Sequence, residues 1–210
     1  MTTFNKILRS KYFFLIFVSF GCILQLLAYE KGMEISLISG LCGVISVVLI
    51  SRRKMSQFLF GFIQLGTYFF LSWNERLWGE VGTTIFYIVT LACALFVWSK
   101  NCEGTVVKSR TLKVKTNILV GALTFLGILG MWKFLATTTD SQPFMDAFTT
   151  VPAVTAQLLM TFRYREQWIY WIIINFSSLI MWSIAGDINM VAQFGFWALN
   201  CIYGWILWKD

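Results

Sequence analysis

Eight long apolar runs separated by short polar breaks account for nearly all of the 210 residues. They lie at Tyr12–Tyr29, Met33–Ser51, Met55–Trp73, Gly79–Trp98, Asn117–Thr137, Phe144–Arg163, Trp168–Ala185 and Asn189–Trp208, and each holds 18 to 21 residues. About 20 apolar residues wound as a helix cross the ~30 Å hydrocarbon core of a bilayer, so each run predicts one span. Lipid offers no partner to backbone N–H and C=O groups, which makes the helix the required form. The alternating segments of a membrane β-barrel, roughly ten residues each, are not seen. The pattern therefore predicts an all-α integral membrane protein with eight transmembrane helices. The first run follows a basic start, as a cleaved leader would, but it is long enough to span and no A-x-A site follows it.

The breaks carry the orientation, because Lys and Arg in short loops stay on the cytoplasmic side. Lys6, Arg9 and Lys11, then Arg52, Arg53 and Lys54, then Lys100, Lys108, Arg110, Lys113 and Lys115, then Arg163 and Arg165, and last Lys209, occupy every second connection, 14 of the 17 cationic residues. The alternate connections hold Glu30, Glu34, Glu75, Glu80, Asp140, Asp146 and Asp187 with only Lys31 and Arg76, and Lys133 sits near the outer end of its span. Both termini are therefore expected in the cytoplasm.

The one long hydrophilic connection, Ser99 to Thr116, divides the chain near its middle. A shift of 110 positions lays the three spans before it on the last three, with Trp98 on Trp208, Phe86 on Phe196, Arg53 on Arg163 and Gln57 on Gln167. Three spans reverse direction, so a single joining helix is needed for the halves to run parallel. The expected organisation is an extra N-terminal helix (1–30), a first three-helix bundle (31–100), a cytoplasmic loop and linker helix (101–140) and a second three-helix bundle (141–210). Parallel repeats of this kind occur in transporters, with the solute site between them near the midplane.

Composition narrows the chemistry. Hydrophobic residues make up 58% and charged residues 13%, against about a quarter charged in soluble domains. The +7 net charge is spread over separate loops rather than gathered on one platform, which speaks against nucleic acid. There is no histidine, and Cys22, Cys42, Cys93, Cys102 and Cys201 show no metal-ligand spacing. With no paired carboxylates in the spans and no GxxxxGK[ST] loop, neither an enzyme nor an ATP-driven pump is indicated, and no cofactor or metal is expected. A carboxylate in mid-membrane, the usual sign of ion coupling, is also lacking.

The polar residues left inside the spans are mostly amides and aromatics. Trp168, Trp171, Asn175, Ser178 and Trp182 follow helical steps of three and four and so share one face. Gln193, Trp197, Asn200 and Gly204 form a second stripe, Gln57, Gly61, Gln64 and Tyr68 a third, and Thr83, Tyr87, Thr90 and Ala94 a fourth. Gln64, Asn175 and Asn200 fall near mid-membrane, where an unpaired amide costs roughly 1–3 kcal/mol. Each needs a partner or a solute. Aromatic faces stack on a flat ring and attract a cationic one by about 0.5–2 kcal/mol, while amides read hydroxyls and carboxamides. The candidate site is therefore Trp168, Trp171, Asn175, Gln64, Asn200, Trp182, Trp197, Tyr68 and Tyr87. Two plainer roles compete: Trp anchors helices at membrane interfaces, and Asn and Gln bond neighbouring helices. Pro152 in the sixth span, with Gly40 and Gly43 in the second, are candidate hinges.

Three stretches carry a family resemblance: Trp73-Asn74-Glu75-Arg76-Leu77-Trp78-Gly79-Glu80, the W-x-x-W-x-x-x-N pattern of Trp168, Trp171 and Asn175 after Gln167, and the end from Asn200 to Trp208. Over roughly Ser39 to Trp208 the chain resembles the PnuC family of vitamin transporters. The resemblance implies a SWEET-like three-plus-one-plus-three fold in a bacterial inner membrane and facilitated diffusion of nicotinamide riboside. It further implies capture of the solute by an intracellular kinase, and a pocket lined by Trp168, Trp171 and Asn175. Similar proteins carry thiamine, riboflavin or deoxynucleosides, and the pocket residues leave that choice open. A non-transporting assembly subunit is the alternative from another class. Expected partners are a small-molecule substrate and membrane lipid, with room for a homo-oligomer.

Overall fold

The computed structural model describes residues 3–76, 78–138, 143–186 and 188–209. Leu77, Asp140 and Asp187, which figure in the loops and motifs above, lie outside the described residues, as does the side chain of Trp78. The described residues form nine α-helices: α1 (Thr3–Arg9), α2 (Lys11–Leu27), α3 (Glu34–Ser51), α4 (Gln57–Asn74), α5 (Trp78–Ser99), α6 (Val114–Leu135), α7 (Pro143–Thr161), α8 (Gln167–Ala185) and α9 (Ile188–Leu207). Eight match the predicted runs to within a few residues. Two features were not anticipated. The basic start is the short helix α1, and the long hydrophilic connection contains a hairpin, β1 (Cys102–Glu103) on β2 (Val106–Val107).

Among the described residues, five helices are both long and apolar enough to cross a membrane: α3, α5, α6, α8 and α9. The protein is a multi-pass, all-α membrane protein. Helices α4 and α7 have matching lengths of 18 and 19 residues but dilute their apolar content with inward polar groups such as Gln57, Gln64, Gln157 and Thr161. Local chemistry sets several ends. Ser10 caps α2, its Oγ accepting from Phe13 N at 3.1 Å, and Pro143 opens α7, where its missing N–H costs nothing.

The hinge after α3 and the hinge after α7 have the same construction. Arg53 N donates to Ile50 O and Lys54 N to Leu49 O; Arg163 N donates to Met160 O and Tyr164 N to Leu159 O. These are paired Schellman closures, with Arg53 (φ 56°) and Arg163 (φ 67°) in the left-handed position that normally prefers glycine. The β1–β2 loop crosses both hinges as a strap. Val107 N donates to Arg53 O and Arg110 N to Arg163 O, while Arg53 Nη1 reaches Ser109 Oγ at 2.8 Å and Arg163 Nη1 reaches Lys108 O at 3.0 Å. Burial, then the neighbouring Arg110, pulls the Arg163 guanidinium below its ordinary pKa.

The 110-residue shift is written into the contacts between the halves. Trp98 Nε1 donates to Met160 O at 3.1 Å, and Trp208 Nε1 donates to Ile50 O at 3.0 Å, so each half gives the same bond to the other. Ser51 Oγ to Asn200 O and Thr161 Oγ1 to Thr90 O, both 3.4 Å, repeat the exchange. The Trp98 and Trp208 rings meet edge to face at 5.8 Å amid a core of Phe58, Leu91, Met160 and Trp168. Helix α6 packs on α7 as α2 packs on α3, and α2 also reaches α9. There Gly21 lets it approach Val44 and Phe196 more closely than any side chain would permit.

Candidate functional site

A cavity of about 500 Å³ lies between the halves, walled by α3, α4, α5, α7, α8 and α9. Gln57 and Tyr68 both line it and stand eleven residues apart on α4, so it extends about 16 Å along the helix at ~1.5 Å per residue. Its two ends differ. Toward the strap, Gln57 and Gln167 are 0% exposed and Trp168 is buried, so the cavity is closed there by the Trp98–Trp208 interlock. Toward the other end lie Tyr68 and the exposed Glu80, whose Oε2 accepts from the Tyr68 hydroxyl at 3.0 Å.

Eight of the nine predicted site residues line this cavity: Trp168, Trp171, Asn175, Gln64, Asn200, Trp197, Tyr68 and Tyr87. Trp182 does not; it sits in the last turn of α8, where its carbonyl accepts from Gly186 N. The eight are not equivalent. Both ends of the Asn200 amide are engaged in joining α9 to α3, its Oδ1 accepting from Ser51 Oγ at 2.9 Å and its Nδ2 donating to Val47 O at 3.3 Å. Asn175 Nδ2 donates to Trp171 O at 2.7 Å and touches Cys201 Sγ at 3.5 Å, which holds the amide nitrogen against the helix. Gln64 stands opposite Gly43, whose lack of a side chain leaves room for the Gln64 stem and the Trp197 ring edge. Trp168 lies flat against Gly204, so close that any Cβ there would overlap the indole.

Sequence reasoning left several lining residues off the candidate site. Gln157 donates to Thr90 Oγ1 at 3.0 Å, a polar bridge from α7 to α5 inside the wall. Glu80, read as part of an outer loop, is in the first turn of α5 and reaches the cavity mouth through Tyr68. Gln167, the shifted partner of Gln57 and the residue before the W-x-x-W-x-x-x-N pattern, also lines the cavity. Among the lining residues Glu80 is the one full charge, and there is no Lys or Arg. Among the described residues no group of three His, Cys, Asp or Glu could hold a metal ion.

A multi-pass helical protein with internally repeated halves and an amide- and tryptophan-lined chamber between them belongs with the membrane transporters. Comparison with known proteins gives the family: residues 34–210 match the family model described as nicotinamide mononucleotide transporter, and the chain belongs to that family. It is 32% identical over 205 residues to the nicotinamide riboside transporter PnuC of Haemophilus influenzae, covering 94% of this chain and 90% of that protein. To the nicotinamide riboside transporter PnuC of Neisseria mucosa it is 29% identical over 184 residues, covering 81% and 70%. A crystal structure described as that of the vitamin B3 transporter PnuC superposes with a TM-score of 0.76 at 25% identity, covering 100% of this chain and 92% of the other.

Proposed function

We propose that this protein carries nicotinamide riboside across a bacterial inner membrane by facilitated diffusion, and that an intracellular kinase traps the solute as its phosphate. The observation that carries this reading is the lining of the cavity. Trp171 and Trp197 bring indole rings to the wall for a pyridinium ring to stack on, Asn175 and Gln64 bring amides for its carboxamide and hydroxyls, and Glu80 brings negative charge at the mouth. A riboside with a cationic ring suits that set. A mononucleotide does not, because its phosphate would meet no Lys or Arg among the lining residues. The names of the relatives support the riboside over the mononucleotide of the family description.

On this reading the eight long helices span the membrane as two parallel three-helix bundles, α3–α5 and α7–α9, with α6 as linker and α2 as an additional helix beside the first bundle. The reciprocal tryptophan bonds support the arrangement. The strap and both termini face the cytoplasm, as the basic loops require. The lining holds no acid at mid-depth, which favours passive exchange over ion coupling.

The test is uptake of labelled nicotinamide riboside into proteoliposomes, with and without an enclosed riboside kinase, with thiamine, riboflavin and deoxynucleosides as competitors. Equilibration without the kinase and accumulation with it is the expected result. Trp171→Ala and Asn175→Ala should each weaken riboside binding at least tenfold. Uphill accumulation without kinase would rule out the passive mechanism, and unchanged affinity in both variants would rule out the site.

A further inference from the structure

The strap joins the two halves through a short length of chain. Its hairpin belongs to the first half. It follows α5 directly, Val107 N donates to Arg53 O at 2.9 Å, Lys54 and Val106 pair as an antiparallel bridge, and Lys54 Nζ reaches Thr105 Oγ1 at 2.7 Å. The hairpin closes with Lys108 N on Asn101 O. Beyond that bond the chain is tied to the second half. Arg110 N donates to Arg163 O and Arg165 N to Arg110 O, both at 2.8 Å, and Arg163 Nη1 donates to Lys108 O at 3.0 Å. Ser109 Oγ donates to Trp208 O at 3.2 Å, and Leu112 N donates to Glu166 Oε1 at 3.1 Å. Helix α6, which follows, is fixed to the second half as well: the Thr124 and Thr155 hydroxyls bond at 3.1 Å, and Trp132 meets Phe144 edge to face. The repeat breaks at one position in these hinges. Glu166 falls on Ser56 under the 110-residue shift, neither side chain caps its own helix, and the buried Glu166 holds the strap instead.

Chain length decides what this join permits. Between Val107 on the first hinge and Arg110 on the second lie only Lys108 and Ser109, so with both ends bonded the tether spans at most about 10–11 Å. Freed from the second hinge, the chain from Val107 to Val114 reaches about 23–25 Å. The strap end of the chamber opens only when the tryptophan interlock parts, which carries Ile50 and Met160 away from each other with the hinges that follow them. We infer that residues 108–112 are a latch: they peel from the 163–166 hinge each time the chamber opens toward the strap, while the hairpin rides on the first hinge. Glu166 is the positioning residue that sets how firmly the latch closes. The bonds that break lie between halves, whereas those that persist lie within the first. Lys108 and Arg110 are exposed, so water takes over the freed strap groups as the latch leaves. This rests on the reading that the chamber releases its solute at the strap end.

The experiment locks the strap to one hinge or to the other. Bridge partners stand close enough for a disulfide, so Arg110→Cys with Tyr164→Cys ties the strap to the second hinge, and Lys54→Cys with Val106→Cys ties it to the first. Each pair is oxidised in proteoliposomes and the cross-link verified by mass spectrometry. Equilibration of labelled nicotinamide riboside is then followed before and after reduction, with the single-cysteine variants as controls. The second-hinge lock should slow equilibration at least about tenfold and reversibly, and the first-hinge lock by less than about twofold. Undiminished flux through protein locked at the second hinge overturns the inference, and so does equal arrest by both locks. Glu166→Ala supplies an independent readout by amide hydrogen exchange: protection of residues 109–112 should fall about tenfold while that of 102–107 holds. Unchanged protection at 109–112 overturns the role of Glu166. Flux that is normal in the unmodified protein and in both locked forms removes the latch but not the transport reading. No riboside flux in the unmodified protein removes the transport reading, and the latch with it.

Discussion

Single backbone positions show how the repeat tolerates different residues. Arg76 closes α4 in the left-handed region (φ 57°), and its counterpart 110 residues later, Gly186 (φ 77°), closes α8. A side chain in that region costs roughly 1–2 kcal/mol, which glycine avoids. Gly186 has open space around it, so only conformation is at stake there. Arg76→Gly should therefore stabilise the protein by roughly 0.5–1 kcal/mol, after the entropy glycine adds to the unfolded chain, and Gly186→Ala should destabilise it by about 1 kcal/mol. Opposite shifts in denaturation midpoint would bear this out; shifts of the same sign would not. Arg53 and Arg163 occupy the same conformation for a different reason, since each guanidinium is needed to hold the strap.

Between elements, polar contacts decide the fit that apolar surface leaves undecided. Lipid is as apolar as leucine, so helices in a bilayer gain little by hiding aliphatic groups from it. Many large side chains of α2 and α6, among them Ile16, Leu27, Leu119 and Phe125, accordingly point outward. The halves are instead held by hydrogen bonds between named groups, with the two indole N–H bonds at the centre. Trp98→Phe and Trp208→Phe each remove an indole bond to a carbonyl that keeps its backbone donor, Arg163 N on Met160 O and Arg53 N on Ile50 O, and shrink one ring, a loss of about 1–3 kcal/mol. Because the bonds are equivalent, the two variants should cost nearly the same in chemical denaturation. A large cost in one and none in the other would show that the halves are not interchangeable at this contact.

For the whole molecule, the consequence is a chamber closed on its basic face and reached from the other. Glu80 and Tyr68 stand at the reachable end; Gln57, Gln167 and the strap stand at the closed one. If basic loops mark the cytoplasm, a cysteine at Lys209 or Lys108 should react with an impermeant maleimide only after intact cells are lysed, whereas one at Tyr29 or Arg76 should react in intact spheroplasts. Labelling of Lys209→Cys from outside would reverse the topology. The eight-span reading needs both results, because α4 and α7 are less apolar, and α2 shorter, than the five helices that are long and apolar enough to cross by themselves.

The apolar runs, the alternation of charge and the repeat spacing were all present along the chain, because each is a local or periodic property: a span needs its own 20 apolar residues whatever it packs against. The stripes likewise put Trp168, Trp171 and Asn175 on one face. What periodicity could not decide was which amides remain available. Asn200 and Gln64 look alike in sequence, yet the first is consumed by Ser51 and Val47, some 150 positions away, while the second stands against the bare backbone of Gly43. Glu80 entered the site, and Trp182 left it, for the same reason. A side chain's partner across a helix interface depends on the depth and rotation at which two helices meet, and that register exists only once the halves have docked.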